Sequence, residues 1–149
     1  MLRKATIDDF DGMYKLWSTS AGIGIVPGDD TREGIGRFLL RNPNTCFVYE
    51  NDGVIVGTVL GGHDGRRGHI YHCAVAEDCR RKGIGRELTD AVLEALKNEG
   101  IRKVLLVAMT ENTGGNEFWG AMGFTTRPDL TYRNISLIRE NTDTGVKQQ

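Results

Sequence analysis

The sequence predicts an α/β domain: a mixed central β-sheet flanked by about four helices. Three observations carry this. Strand-like runs at 45–50, 54–60 and 68–76 follow one another with only turns between them, which a doubly wound fold does not allow. Helical periodicity appears before and after that block, clearest over 83–98, where Ile84, Leu88, Ala91, Val92, Ala95 and Leu96 form one apolar stripe. A continuous apolar run at 104–109 reads as a further strand, buried in the sheet.

The elements follow in order. Residues 2–7 read as a short strand, and Asp8 and Asp9 stand where a helix is capped. Phe10, Met13, Tyr14, Leu16 and Trp17 recur with helical spacing, and 21–30 is a glycine-rich loop. Thr31 caps a second helix that buries Ile35, Phe38 and Leu39 and ends at 41–44. Asn51-Asp52-Gly53 is a hairpin turn, and 61–65 a second turn. Gly100 closes the long helix, 112–122 is a fourth helix stopped by Gly123, and Phe124 with 132–138 supply the last strands. The expected domain is 1–138, with 139–149 a polar tail.

With 149 residues the chain fits one domain. A chain of this size buries roughly 70% of its unfolded surface, so no metal or disulfide is required for a core. The net charge of −1 excludes a general polyanion or nucleic-acid binder, so any affinity for phosphate must be local. Cys46, Cys73 and Cys79 are odd in number and include no C-x-x-C pair, which argues against a disulfide framework and a zinc site. The first residues lack a signal-peptide core and no apolar run reaches membrane-spanning length, so the expected location is the cytoplasm.

The densest chemistry lies at 80–86, which reads Arg80-Arg81-Lys82-Gly83-Ile84-Gly85-Arg86. A helix N-terminus already carries about half a positive charge, so four further cations there repel one another unless an anion sits among them. Gly83 and Gly85 have no Cβ and let an oxyanion approach the free amides of the first turn. The segment is neither a Walker A loop nor G-x-G-x-x-G. On residues alone it is a phosphate cradle or a solvated basic turn.

These residues resemble the GNAT superfamily of acetyltransferases, and the stretch from Gly57 to Gly65 looks like a small bacterial subgroup of it. Arg80-x-x-Gly83-x-Gly85 is similar to the family's [RQ]-x-x-G-x-[GA], with Val75 five residues before Arg80. A second signature, Asn followed by an aromatic residue and Gly-Phe, is matched by Asn112, Trp119 and Gly123-Phe124, and Val56-Gly57-Thr58-Val59 resembles the family's third strand. The resemblance covers the chain from Leu2 to about Ile138. It implies splayed central strands and acetyl-CoA as co-substrate. It places the pyrophosphate on Arg80, Arg81, Lys82, Gly83, Ile84, Gly85 and Arg86, and the pantetheine arm along the backbone of Cys73 and Val75. Asn112 and Trp119 then lie beside the cofactor. Direct transfer to a primary amine of a small molecule or peptide follows, with no metal and no nucleophilic cysteine. Domains of this family often pair, so a homodimer is an expectation.

The sequence departs from the family at Trp119, where many members have a tyrosine that protonates the leaving thiolate; an indole N–H only donates a hydrogen bond. Val107 stands where ribosomal-protein acetyltransferases keep a glutamate, which weakens a protein N-terminal reading. By the same resemblance His69 falls on the base position of histone-type and arylalkylamine-type members, and Tyr71 on a second histidine of the latter. Simple alternation puts His69, Tyr71, Cys73 and Val75 on one strand face and His72 on the other. His69 is therefore the candidate base and Tyr71 the candidate donor, with Tyr132 in reserve. His63, in a turn, is a marginal substrate contact. Asp8, Asp9, Asp11, Asp29, Asp30 and Glu33 cluster toward the expected acceptor side and fit either a cationic amine or capping and solvation. Two other readings stay open: a CoA-binding module without catalysis, kept alive by Trp119, and a phosphate-binding domain without thioester chemistry.

Overall fold

The structure is a computed structural model and describes residues 1–138. Its elements are β1 (Leu2–Lys4), a 3-10 turn (Ile7–Asp9), α1 (Phe10–Ser18), α2 (Arg32–Arg41), β2 (Cys46–Asn51), β3 (Val54–His63) and β4 (Gly68–Val75). A second 3-10 turn (Glu77–Cys79), α3 (Ile84–Asn98), β5 (Val104–Leu105) and α4 (Thr113–Ala121) follow. The strands lie in chain order, β1-β2-β3-β4-β5. Every neighbouring pair is antiparallel except β4 and β5, which are parallel. The sheet is mixed, as expected.

Each face of the sheet has its own core. On one, α1 and α2 press Met13, Leu16, Trp17, Ile35 and Leu39 against Val48, Leu60 and Ala74. On the other, α3 packs Ile84, Leu88, Val92 and Leu96 against Val56, Val59 and Ile70. The close approach of α3 depends on two glycines in β3. A Cβ at Gly57 would stand 2.8 Å from Leu88 Cδ1, and one at Gly61 would stand 2.4 Å from Val92 Cγ2.

Two irregularities position the site. The pairing of β4 with β5 ends after Gly68–Val104 and His69–Leu105, so beyond that point the strands part. The ladder between β3 and β4 slips between Thr58 and Leu60, which face Ala74 and Tyr71 respectively. Two residues of β4, His72 and Cys73, thus oppose Val59 alone, and His72 takes the left-handed φ of 47°. This is a β-bulge. It is pinned through the α1 core: Trp17 Nε1 donates to Thr58 Oγ1 (3.0 Å), and Thr58 Oγ1 donates to the His72 carbonyl (2.8 Å).

The bulge corrects the alternation read from sequence. Before it, Ile70 lies in the α3 core while Tyr71 meets Phe38 of α2 edge-on. After it, Cys73 and Val75 pack against the α3 core and Ala74 against the other. His69 and Tyr71 therefore do not share a face with Cys73 and Val75. His72, expected on the face opposite His69, lies on the α1 side with its ring 4.6 Å from that of Trp17.

Three boundaries also differ. β3 runs on to His63, so the turn expected at 61–65 begins only at Asp64. The strand expected at 104–109 is two residues long and half-exposed, with Leu105 at 43% and Val107 at 51%. No strand forms at 132–138 among the described residues. The large apolar residues there, Tyr132, Ile135, Leu137 and Ile138, fall on both parities, so neither side of an extended segment would be apolar, and all four are exposed. The tail 139–149 lies outside the described residues.

The acidic residues near the start are mostly structural. Arg3 grips Asp9 through Nη1 to Oδ2 (2.8 Å) and Nη2 to Oδ1 (2.7 Å), and the Thr6 amide donates to Oδ2 (2.8 Å). Burial raises the Asp9 pKa, but the Arg3 and Thr6 bonds outweigh it and hold the carboxyl below its ordinary range. A depressed carboxylate stabilises the fold above the unfolded pKa of about 3.9, and that contribution fades as pH falls through the folded value. Asp9→Asn is expected to cost about 1–3 kcal/mol near neutral pH, because it leaves a part-buried guanidinium underpaired. Urea denaturation at neutral pH and near pH 3 checks this, and the gap between the two proteins should narrow at the lower pH.

Candidate functional site

The basic segment sits where β4 hands over to α3. Arg81 and Gly83 have φ of 63° and 83°, and Gly83 is the N-cap of α3. A Cβ at Gly83 would meet nothing within 4 Å, so glycine is required there for its backbone conformation, not for space. No side chain caps the helix, which leaves the amides of Ile84, Gly85 and Arg86 facing outward. The Ile84 side chain is 4% exposed and points into the core, so only its backbone is offered to a ligand. Arg80 Nε donates to the Val75 carbonyl (3.2 Å), tying the loop to the end of β4. Arg80, Arg81, Lys82, Gly83 and Arg86 are all exposed. An uncapped helix start ringed by four cations suits a pyrophosphate.

A cavity of about 1010 Å³ opens beside this loop, lined by Cys73, Val75, Arg80, Arg81, the amides of α3 and, across it, Asn112 and Trp119. A second cavity of about 630 Å³ lies on the α1–α2 side and contains His69, Tyr71 and His72. The two share Gly22, Ile23, Cys73, Met109, Asn112 and Trp119, and so meet where β4 and β5 part. Asn112 is held there as the N-cap of α4, its Oδ1 accepting from the Gly115 amide (3.1 Å). Trp119 stands edge-on to Phe118 (4.9 Å) and Phe124 (5.2 Å).

In the smaller cavity the His69 and Tyr71 rings stack, 4.1 Å apart and 3° from parallel. Burial lowers the His69 pKa, so the imidazole is neutral at neutral pH and able to take a proton. Its Nε2 is the one buried side-chain N or O without a partner among the described residues. Burial, followed by the Tyr132 and Asp29 charges, raises the Tyr71 pKa and keeps the phenol protonated. A neutral imidazole can accept a proton and a protonated phenol can donate one, the two functions acyl transfer to an amine calls for.

Of the other sequence candidates, Cys73 faces the α3 core, and burial pushes its thiol up to about 12 against the opposing effect of Thr89. A thiol held protonated in this way is a poor nucleophile. His63 lies outside both cavities: its Nδ1 accepts from the Gly65 amide (3.0 Å) and its Nε2 meets Glu99 (3.0 Å), stapling the turn. Tyr132 and Val107 do line the smaller cavity. Sequence reasoning missed His72, whose Nε2 lies 2.8 Å from Asp30 Oδ1 in that cavity, because a bulge leaves no periodic trace. It also missed Arg37 and Arg41, which the i, i+4 spacing on α2 signals.

Comparison with known proteins gives this arrangement its class. Residues 10–124 match the Acetyltransferase (GNAT) family. An acetyltransferase of Photorhabdus laumondii is 33% identical over 105 residues, covering 70% of this chain and 72% of the relative. An acetyltransferase of Pectobacterium atrosepticum is 34% identical over 105 residues, covering 70% and 73%. Ard1 from Thermoplasma volcanium superposes with a TM-score of 0.74 at 26% identity, covering 84% of this chain and 82% of that one. The PaiA N-acetyltransferase of Thermoplasma acidophilum, solved with coenzyme A, has the same fold (TM-score 0.73, 17% identity, 85% and 90% covered). This chain belongs to the GNAT family of acetyltransferases and is an acyltransferase.

Proposed function

We propose that the chain transfers the acetyl group of acetyl-CoA directly to a primary amine of a small molecule or peptide. The observation that carries this reading is the meeting of two cavities at the parting of β4 and β5, one beside the basic start of α3 and the other holding His69 and Tyr71. The amides of Ile84, Gly85 and Arg86, with Arg80, Arg81 and Lys82, would hold the cofactor's pyrophosphate. Cys73 and Val75 would flank its pantetheine arm, with Asn112 and Trp119 facing it. Acetyl-CoA supplies an activated thioester.

In the acceptor cavity, neutral His69 takes the proton that the amine must lose, directly or through water. The C–N bond forms as the C–S bond breaks, and Tyr71 donates a proton to the leaving thiolate. Tyr71 is then reprotonated from the His69 side. Trp119 lacks a dissociable proton and contributes hydrogen bonding or packing only. No helix among the described residues is long and apolar enough to cross a membrane, in line with a cytoplasmic enzyme.

The test is thiol release from acetyl-CoA across polyamines, amino acids, aminoglycosides, arylalkylamines and short peptides. Release well above the amine-free background is expected for one acceptor class. Bound acetyl-CoA without release from any amine would favour the CoA-binding module. Failure to bind CoA at all would favour a phosphate-binding domain.

A further inference from the structure

The acceptor-side cavity contains charge that the proposed chemistry does not use. Arg37 and Arg41 stand one turn apart on α2, both line the cavity, and neither forms an ion pair among the described residues. The other arginine of that helix, Arg32, is engaged with Asp11 (3.0 Å) and lies over the Phe10 ring. Between Arg37 and Arg41 in sequence, Phe38 touches Tyr71 edge-on, and Tyr71 stacks on His69. The guanidinium pair thus shares one cavity with the candidate base, with Phe38 and Tyr71 between them in the chain of ring contacts. Acidic groups lie elsewhere along the same wall. Asp30 is committed to the Val26 amide (2.8 Å) and to His72 (2.8 Å), while Asp29 is exposed.

Resting on the proposed transfer reaction, we propose that the acceptor is an amine that also bears a carboxylate, an amino-acid-type molecule, with the carboxylate bound by Arg37 and Arg41. Two guanidinium groups at i, i+4 spacing present planar forks to one anion, the geometry in which arginine selects carboxylates. A cavity of about 630 Å³ accommodates a molecule of that size. An acceptor held at its carboxylate by α2 extends its amine past Phe38 toward His69. Asp29 offers a counter-charge for the ammonium before it gives up its proton. Within the acidic cluster near the chain start, Asp9 and Asp11 are already bound to Arg3 and Arg32.

The test measures binding apart from catalysis. N-acetyl amino acids, which are the products of such a reaction, and their carboxamides are titrated calorimetrically into the full-length protein with CoA present, over a panel of side chains. At least one acid is expected to bind about thirtyfold more tightly than its carboxamide. Arg37→Ala/Arg41→Ala should erase that difference without changing CoA affinity, and Arg37→Lys/Arg41→Lys should restore part of it. Equal binding of every acid and carboxamide, no binding of either, or an acid preference that survives the alanine pair would overturn the inference. Thiol release with amines lacking a carboxylate would leave the transferase reading standing and sink only this one. Acid-selective binding without thiol release from any amine would do the reverse.

Discussion

Replacing His69 with alanine is expected to lower kcat for the amine acceptor by about 10²–10⁴-fold, the usual share of a positioned base. In the parent, kcat should rise with pH along a limb whose apparent pKa lies below about 6.5, the ordinary histidine value. The sign follows from burial, which disfavours the imidazolium, so the base is ready at lower pH than a free histidine. The limb should vanish in the alanine variant. His69→Phe separates chemistry from folding. It keeps a ring against Tyr71 and removes the buried nitrogen that has no partner, so it should melt no lower than the parent while remaining as inactive as the alanine variant. An alanine variant with parental kcat and an unchanged acid limb would show that the amine loses its proton to another group.

The second large effect is expected at the helix start. Arg80→Glu combined with Gly83→Asp should weaken acetyl-CoA binding by at least about a hundredfold, near 2.7 kcal/mol. Two negative charges would then replace a cation and an open approach beside the amides of α3. Part of the outcome is strain, since any side chain at a φ of 83° costs about 1 kcal/mol or more. Gly83→Ala carries the strain without the charge. It should lower the melting temperature by a few degrees, roughly 2–4 °C per kcal/mol for a chain of this length, and should leave most of the affinity. Affinity within about tenfold of the parent in the double variant would mean that the pyrophosphate is not held there.

The parts of this molecule visible in its sequence are those governed by local rules. The stripe on α3, the Thr31 cap, the Asn51–Gly53 turn and the basic helix start each rest on residues close together in the chain, and each is present. In the candidate site the same local rules gave the helix start at Arg80–Arg86 and the cap at Asn112. The site was illegible where one residue decides a register. The slip opposite Val59 is enforced by Trp17, more than forty positions from the bulge, acting through Thr58. No window of the sequence contains that chain of bonds. The terminal strands failed for the opposite reason: the residues at 132–138 have strand-like composition but no consistent apolar side.

The bulge at His72 also determines which kind of genetic change can remodel this candidate site. A substitution in β4 alters one side chain on one face. A one-residue deletion at the bulge would restore strict alternation and force a choice. Either His69 and Tyr71 turn toward α3 and leave the smaller cavity, or Cys73 and Val75 turn away from the α3 side. The extra residue lets one strand line both cavities, each from its own side of the sheet. Length variation at this single position thus changes both faces of β4 at once, which no replacement of a single side chain does.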